Sequence, residues 1–515
     1  MTNTADHQTG YVQDVTFSSG YVETLQPALL SHVAAAGGFS APDSSGTYRY
    51  LELGCSNGVT LNGLAASNPQ STFVGIDFNE EHIALAKHGA QVADLHNVQY
   101  HHSDFRDVGA LDLPQFEYVA IHGAYSWLDP GAEDAVHSIV DQVLTDNGVF
   151  FVDYMSMPGK APIAPIWHLL RTLADGAYEN SAERALDGFG QLSELVEHNA
   201  GFFANNPHAK TVHKAWTNTL QMQPNAPTRL AHNALTDNWR PKYFGEVAET
   251  CKSIGLSFAG STELRMNDKD LSLPRALQML NGKELDAIKL ETVKDFFHYS
   301  QQRNDVYARS AKSEDVDEGL FTASSHVASL WPGSQPTWEL QGPKGEAIET
   351  NPQLFSRAFG FINEGICGTK ELAEALVKDG HSRKDAATTV RRMLLLPEFR
   401  VFARAPLKIE PVPPRAVQAL NRYNELAIAS YAKTGGTLVL SSERLGACVK
   451  LPELVSVVTA AFVGHQIDEL SIDQVVQFVR TVPGAYATGQ GRQVDGANIT
   501  REMISPACDL VRALV

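Results

Sequence analysis

The sequence predicts an α/β fold: a mostly parallel, Rossmann-like sheet of seven strands with helices on both faces, carrying a helical insertion and followed by a mostly helical C-terminal domain. Three observations carry this. Short apolar runs alternate with amphipathic helical stretches between residues 49 and 154, as in a parallel sheet covered on both sides. A glycine turn, Gly54-Cys55-Ser56-Asn57-Gly58, leaves the first of those runs. Residues 160–235 keep helical periodicity with no strand run at all.

Taken in order, residues 11–36 read as a leading segment and helix, because Tyr21, Leu25, Leu29 and Val33 recur at four-residue spacing. Strands are expected at 49–54, 72–77, 98–103, 117–122 and 149–154, the last after the turn Asp146-Asn147-Gly148. Helices fall at about 59–67, 80–93 and 131–145. The insertion reads as helical stretches Ile166–Ala177, Glu183–Asn205 and Lys210–Met222. Helix Pro241–Ser253, strand Leu256–Ser261, a helix at about 286–300 and a strand Asp305–Arg309 would complete seven strands. The Pro/Gly-rich stretch 331–345 reads as a linker. Beyond it come helices at about 351–365, 369–378 and 383–396, with Thr369 and Ser382 as expected N-caps. With the extended Val401 and Phe402 they fit a winged-helix-like unit. A helix Pro413–Ala432, a strand-like run Thr437–Leu440 and helices near 452–463 and 472–481 close the chain. The expected division is a core at 1–159, an insertion or lid at 160–235, completion of the sheet with a regulatory region at 236–330, the linker, and a C-terminal domain at 346–515.

Length and composition fit such an assembly. The chain has 515 residues, room for two or three domains, and 43% apolar with 19% charged residues describes an ordinary globular protein. No apolar run is long enough to span a bilayer, and Met1 to Gly10 lacks the pattern of a signal peptide. Five scattered cysteines without a C-x-x-C point to free thiols in a reducing, cytoplasmic setting, and no metal site stands out. The net charge of −18 is uneven: residues 1–343 hold 21 Lys and Arg against 41 Asp and Glu, residues 344–515 hold 20 against 18. An acidic N-terminal part disfavours a nucleic-acid substrate, whose affinity comes from neutralising phosphates. No nucleic acid or membrane partner is expected.

The chemistry centres on Glu52-Leu53-Gly54-Cys55-Ser56-Asn57-Gly58, where a turn without side chains lets backbone approach a nucleotide-like ligand. The next apolar run ends in Asp77-Phe78, an acid placed to hold ribose hydroxyls or, alternatively, to cap the following helix with Asn79. This E-x-G-x-x-x-G with an acid about twenty residues on resembles motif I of class I S-adenosylmethionine (SAM) methyltransferases rather than G-x-G-x-x-G. In that resemblance Asp104-Phe105 would lie near the adenine, and Glu52 would reach the methionine amino group. Cys55 and Asn57 would offer backbone groups. Strand four leads into His122-Gly123-Ala124-Tyr125-Ser126-Trp127, and Tyr154 follows strand five. These aromatics read either as packing beneath the insertion or as a wall around a sulfonium or an ammonium, through cation–π attraction. His122 is a candidate general base.

Together with Tyr154…Pro158-Gly159, Trp239-Arg-Pro-Lys-Tyr-Phe244, Ala259-Gly-Ser261 and Gln302-Arg303-Asn-Asp305-Val-Tyr307, the H-G-x-Y-S-W stretch resembles methyltransferases that carry a methyltransferase regulatory domain. That group includes rickettsial protein-lysine methyltransferases. The resemblance spans roughly residues 11–310. It implies SAM as cofactor, bound by Tyr21, Glu52, Gly54, Cys55, Asn57, Gly58, Asp77, Phe78, Asp104, Phe105, His122 and Gly123, with His122, Tyr125, Trp127 and Tyr154 around the acceptor. Cys55, Ser56 and Met155 depart from the usual pattern. The acceptor is either a protein lysine or a small molecule, and a homodimer is compatible with both. A non-enzymatic protein working through its winged helix is the reading from another class.

Overall fold

The computed structural model describes residues 10–16, 20–280, 282–313, 318–323, 325–329, 338–348, 350–396, 398–405, 421–434 and 437–451, then 455–459, 472–481, 485–487, 493–495 and residues 500, 504 and 507. The N-terminal nine residues, Cys508, the first seven residues of the expected linker (331–337), the start of the Pro413–Ala432 helix and most of the closing helix near 452–463 lie outside the described residues.

Seven strands form the central sheet: β1 (Arg49–Leu53), β2 (Thr72–Asp77), β3 (Val98–His102), β4 (Phe116–Ile121), β5 (Leu144–Met155), β6 (Ser257–Ser261) and β7 (Gln302–Ala308). Their spatial order is β3-β2-β1-β4-β5-β7-β6. The first five run parallel, with Leu51 opposite both Val74 and Val119, while β7 is antiparallel to both neighbours. Alternate residues supply two cores. Leu51, Leu53, Ile76, Val119, Ile121 and Phe150 point to one face. Tyr50, Phe73, Tyr118, Ala120 and Phe151 point to the other. Burial on both faces is why these strands read as nearly unbroken apolar runs. Helices α1 (Pro27–Ala36), α2 (Val59–Ser67) and α3 (Glu80–Val92) cover the second face, α4 (Pro130–Val143) the first.

Two expectations shift. The leading helix is shorter than 11–36, because Pro27 opens α1 at its first turn and Glu23–Leu25 is a separate 3-10 turn. Asp146-Asn147-Gly148 lies within β5, where the pairing with β4 slips between Phe116 and Tyr118 and absorbs those residues as a bulge.

The insertion is built from α5 (Ala164–Leu173), α6 (Ser181–Glu197), α7 (Pro207–Met222) and α8 (Ala226–Ala234), with a short turn of helix at Gly201–Asn205. It has its own core of Ile166, Trp167, Leu170, Phe189, Leu192, Phe203 and Leu230. The segment 10–16 is pinned to it: Ser181 N–H donates to Asp14 (2.7 Å), and Asp237 N–H donates to the Gly10 carbonyl (2.9 Å). Helix α9 (Phe244–Ser253) and helix α10 (Ala287–His298) flank β6.

C-terminal to the sheet, α11 (Pro352–Asn363), α12 (Thr369–Lys378) and α13 (Arg383–Met393) pack together, and Phe399–Phe402 pairs antiparallel with His326–Ser329. That pairing joins residues on either side of the stretch 331–345. Ser382 caps α13 as expected. Thr369 does not cap α12: Gly368 takes that place, and the Thr369 hydroxyl bonds to Ser325 instead. A hairpin of Val439–Ser442 and Ala447–Lys450 docks on α2, where Gln26 Nε2 donates to the Cys448 carbonyl (3.0 Å) and Ser67 Oγ lies 3.2 Å from Cys448 Sγ. The four described cysteines are free and buried. No described helix is long and apolar enough to cross a membrane.

Candidate active site

A cavity of about 340 Å³ opens outside the carboxyl ends of β1 to β5. Its floor is the turn leaving β1. The N–H groups of Gly54 and Cys55 both donate to the Ile76 carbonyl (2.7 and 3.1 Å), which ties the turn to β2. Gly54 has φ +75°, and a Cβ there would sit 3.1 Å from that of Ala124. The position thus needs glycine for its conformation and for space. Gly58, at φ +71°, opens α2, and a Cβ on it would meet Tyr100 Oη at 2.6 Å.

Five carboxylates line the cavity, and four are already engaged. Asp77 accepts N–H bonds from Ser56 (2.8 Å) and Asn79 (2.9 Å), bracing the turn against α3, and lies 3.5 Å from His82 Nδ1. Asp104 holds Arg106 through both oxygens (3.1 and 2.9 Å), and the same guanidinium reaches Asp129. Asp153 accepts from Gly123 N–H (2.6 Å) and Gln302 Nε2 (2.7 Å) and lies 3.6 Å from His122 Nε2. Glu52 is the exception. It is 5% exposed, and its Oε2 has no hydrogen-bond partner. Burial, reinforced by the charge of Asp77, pushes its carboxyl up to about 8. A buried carboxylate oxygen without a partner is costly, so this one is set to meet a cationic group.

The roof comes from far along the chain. Tyr11 packs edge-on against Phe78 (5.7 Å) and lies 5.4 Å from the ring of His232 on α8. His232 Nε2 is 2.9 Å from the Val15 carbonyl, and burial brings its imidazole down to about 4, so it sits there neutral. Arg229 and Asn233, from the same helix, also line the cavity.

The cavity gathers Glu52, Gly54, Cys55, Asp77, Phe78, Asp104, Phe105, His122, Gly123, Trp127 and Tyr154 of the residues singled out in the sequence. Trp127 Nε1 is buried without a partner. Tyr154 turns its hydroxyl away, donating to Asp305 (2.7 Å). Asn57 and Gly58 belong to the turn but do not line the cavity. Tyr21 does not line the cavity: its ring lies against Gly63 of α2, beside Cys448 and Tyr423 of the docked C-terminal part. Tyr125 is also displaced. The 3-10 turn Tyr125–Trp127 rotates successive side chains by about 120°, sending Tyr125 into the core, where its hydroxyl bonds Glu133 (3.0 Å) and His137 (2.8 Å). Sequence reading missed Tyr11, His82, Arg106, Asp129, Asp153, Arg229, His232 and Gln302. Asp153 alone carried a local signal, as an acid near the end of the fifth strand.

The sheet order, with its antiparallel seventh strand between β5 and β6 and a cavity over the β1 turn, defines the class I methyltransferase fold. Residues 44–222 match the family model described as a methyltransferase domain, and residues 226–309 match a predicted methyltransferase regulatory domain. The chain carries these two domains in succession. It is similar to PKMT2 of Rickettsia typhi, solved in complex with AdoHcy, with a TM-score of 0.62 at 17% identity over 90% of this chain and 91% of that one. Among curated proteins it resembles an uncharacterised protein of Synechocystis sp. (29% identical, 58% of each chain) and one of Rickettsia prowazekii (24% identical, 57% of this chain and 51% of the relative). The chain thus spans between half and two thirds of the length of these two relatives.

Proposed function

We propose that the protein is a SAM-dependent methyltransferase whose acceptor is an amine, most naturally a lysine side chain of a protein. The observation that carries the cofactor is Glu52 Oε2, an orphaned buried carboxylate oxygen beside the Gly54 turn and Asp77. That donor set fits SAM: Glu52 for its ammonium, the bare turn for close backbone approach, Asp77 for ribose hydroxyls, Asp104 and Phe105 for the base. The bound cofactor supplies an electrophilic methyl group on a sulfonium.

The chain's own residues then have three tasks. The walls shield the acceptor from water and hold it in line, which supplies most of the acceleration in a displacement of this kind. The acid excess of the walls, five carboxylates against two arginines, favours a cationic acceptor over an anionic one. His122 takes the acceptor's proton, and Asp153, whose carboxylate lies 3.6 Å from Nε2, faces the resulting imidazolium. Trp127 supplies an aromatic wall for the ammonium that arrives and the methylated product that leaves.

The PKMT2 likeness supports a protein acceptor by analogy of fold. The helical cover over the cavity favours a second reading, a small-molecule amine or hydroxyl. The deciding experiment is transfer of a radiolabelled methyl group from SAM into a fractionated host extract. Counts in protein that hydrolysis recovers as methyl-lysine support the first reading; counts confined to small molecules overturn it.

A further inference from the structure

The charges left over once the cavity's internal pairs are counted fall into a pattern. Among the five acids lining the cavity, Glu52 alone keeps a buried oxygen without a partner. Among the bases, His82 faces Asp77, His122 faces Asp153, His232 meets a carbonyl, and Arg106 is shared by Asp104 and Asp129. Arg229 remains. Its one side-chain bond is from NH1 to the neutral amide of Gln223 (2.5 Å), and no carboxylate pairs with it among the described residues. One unpaired acid and one unpaired base in a single cavity are complementary to a zwitterion.

Resting on the reading of this cavity as a SAM site, we propose that Arg229, on the helix roofing the cavity, binds the carboxylate of the cofactor's amino-acid end while Glu52 takes its ammonium. A guanidinium suits a carboxylate because two parallel N–H groups match its two oxygens. Arg229 lies at the start of the stretch 226–309, so the regulatory domain would contribute directly to cofactor selection and would discriminate against adenosyl compounds lacking the carboxylate.

The test is calorimetric binding of SAM and of decarboxylated SAM, which keeps the sulfonium and the amine. Wild type should prefer SAM. Arg229→Gln should weaken SAM about tenfold or more, the usual cost of removing a charged partner, and leave decarboxylated SAM unchanged. Arg229→Lys should retain part of the preference. Equal weakening of both ligands in Arg229→Gln, or no change in either, overturns the assignment. A wild type that binds neither ligand would instead overturn the SAM reading and take this inference with it.

Discussion

Two charge clusters meet at the tip of β5, and they are built to opposite plans. Tyr154 touches both: its residue lines the cavity, and its hydroxyl donates to Asp305 on the neighbouring strand β7. In the rear cluster, Arg303 binds Asp305 (3.0 Å), Asp295 (2.8 Å) and Glu291 (2.9 Å), while Lys294 adds a second cation on Glu291 (2.6 Å). The guanidinium also lies over Phe244 at 4.3 Å. The front cluster leaves Glu52 and Arg229 without ionic partners. Each rear charge has an ionic partner that fixes it in the structure; in the front cluster the buried Glu52 and the half-exposed Arg229 have none and are open to a ligand. The contrast separates positions that hold the sheet together from positions that would serve the proposed reaction.

The largest expected effect lies in the rear cluster. Arg303→Met strips the common partner from three acids and should cost about 3–5 kcal/mol of stability, the usual penalty for breaking a buried ion pair from one side. Denaturant unfolding measures it, and an unchanged midpoint would mean that the cluster is decorative. Burial already lifts Asp295 to about 6 despite Arg303, so those acids have little to spare.

Glu52→Gln should do the reverse. Cofactor affinity should fall by about 1.5–3 kcal/mol, the range for a charged hydrogen bond, with no loss of stability. The sign with pH follows from the raised carboxyl. Between its ordinary value of 4.5 and about 8 the folded protein holds a proton that the unfolded chain releases, so this group makes the ligand-free protein less stable as pH rises across that window. The variant should lose that slope, and bound AdoHcy should reduce it in the wild type. An identical pH profile in variant and wild type would remove Glu52 from the account. Tyr154→Phe should act weakly, about 1 kcal/mol on stability, with cofactor affinity unchanged; a larger effect on binding than on folding would place that hydroxyl in the front cluster.

How much of this was legible in the sequence differs between the clusters as well. The five parallel strands and the glycine turn were readable, because burial on both faces leaves apolar runs and the turn needs residues that tolerate φ > 0. Asp77 and Glu52 follow from the strand ends. The roof was not readable, since Tyr11, Arg229 and His232 reach the cavity through contacts across about two hundred residues. Tyr21 was misplaced for the same reason: its neighbours are Tyr423 and Cys448, four hundred residues on. Tyr125 was misplaced because a 3-10 turn, invisible to alternation rules, decides which of two aromatics faces the cavity. Nothing in Arg303's local sequence announced that it would gather three acids.

The most direct test is titration calorimetry of AdoHcy against wild type and Gly54→Arg, with unfolding curves for both. The side chain would fill the floor of the cavity without touching the rear cluster. The account predicts single-site binding to the wild type and none to a variant that still unfolds cooperatively. Equal binding by both proteins would put the cofactor elsewhere and contradict the account at its centre.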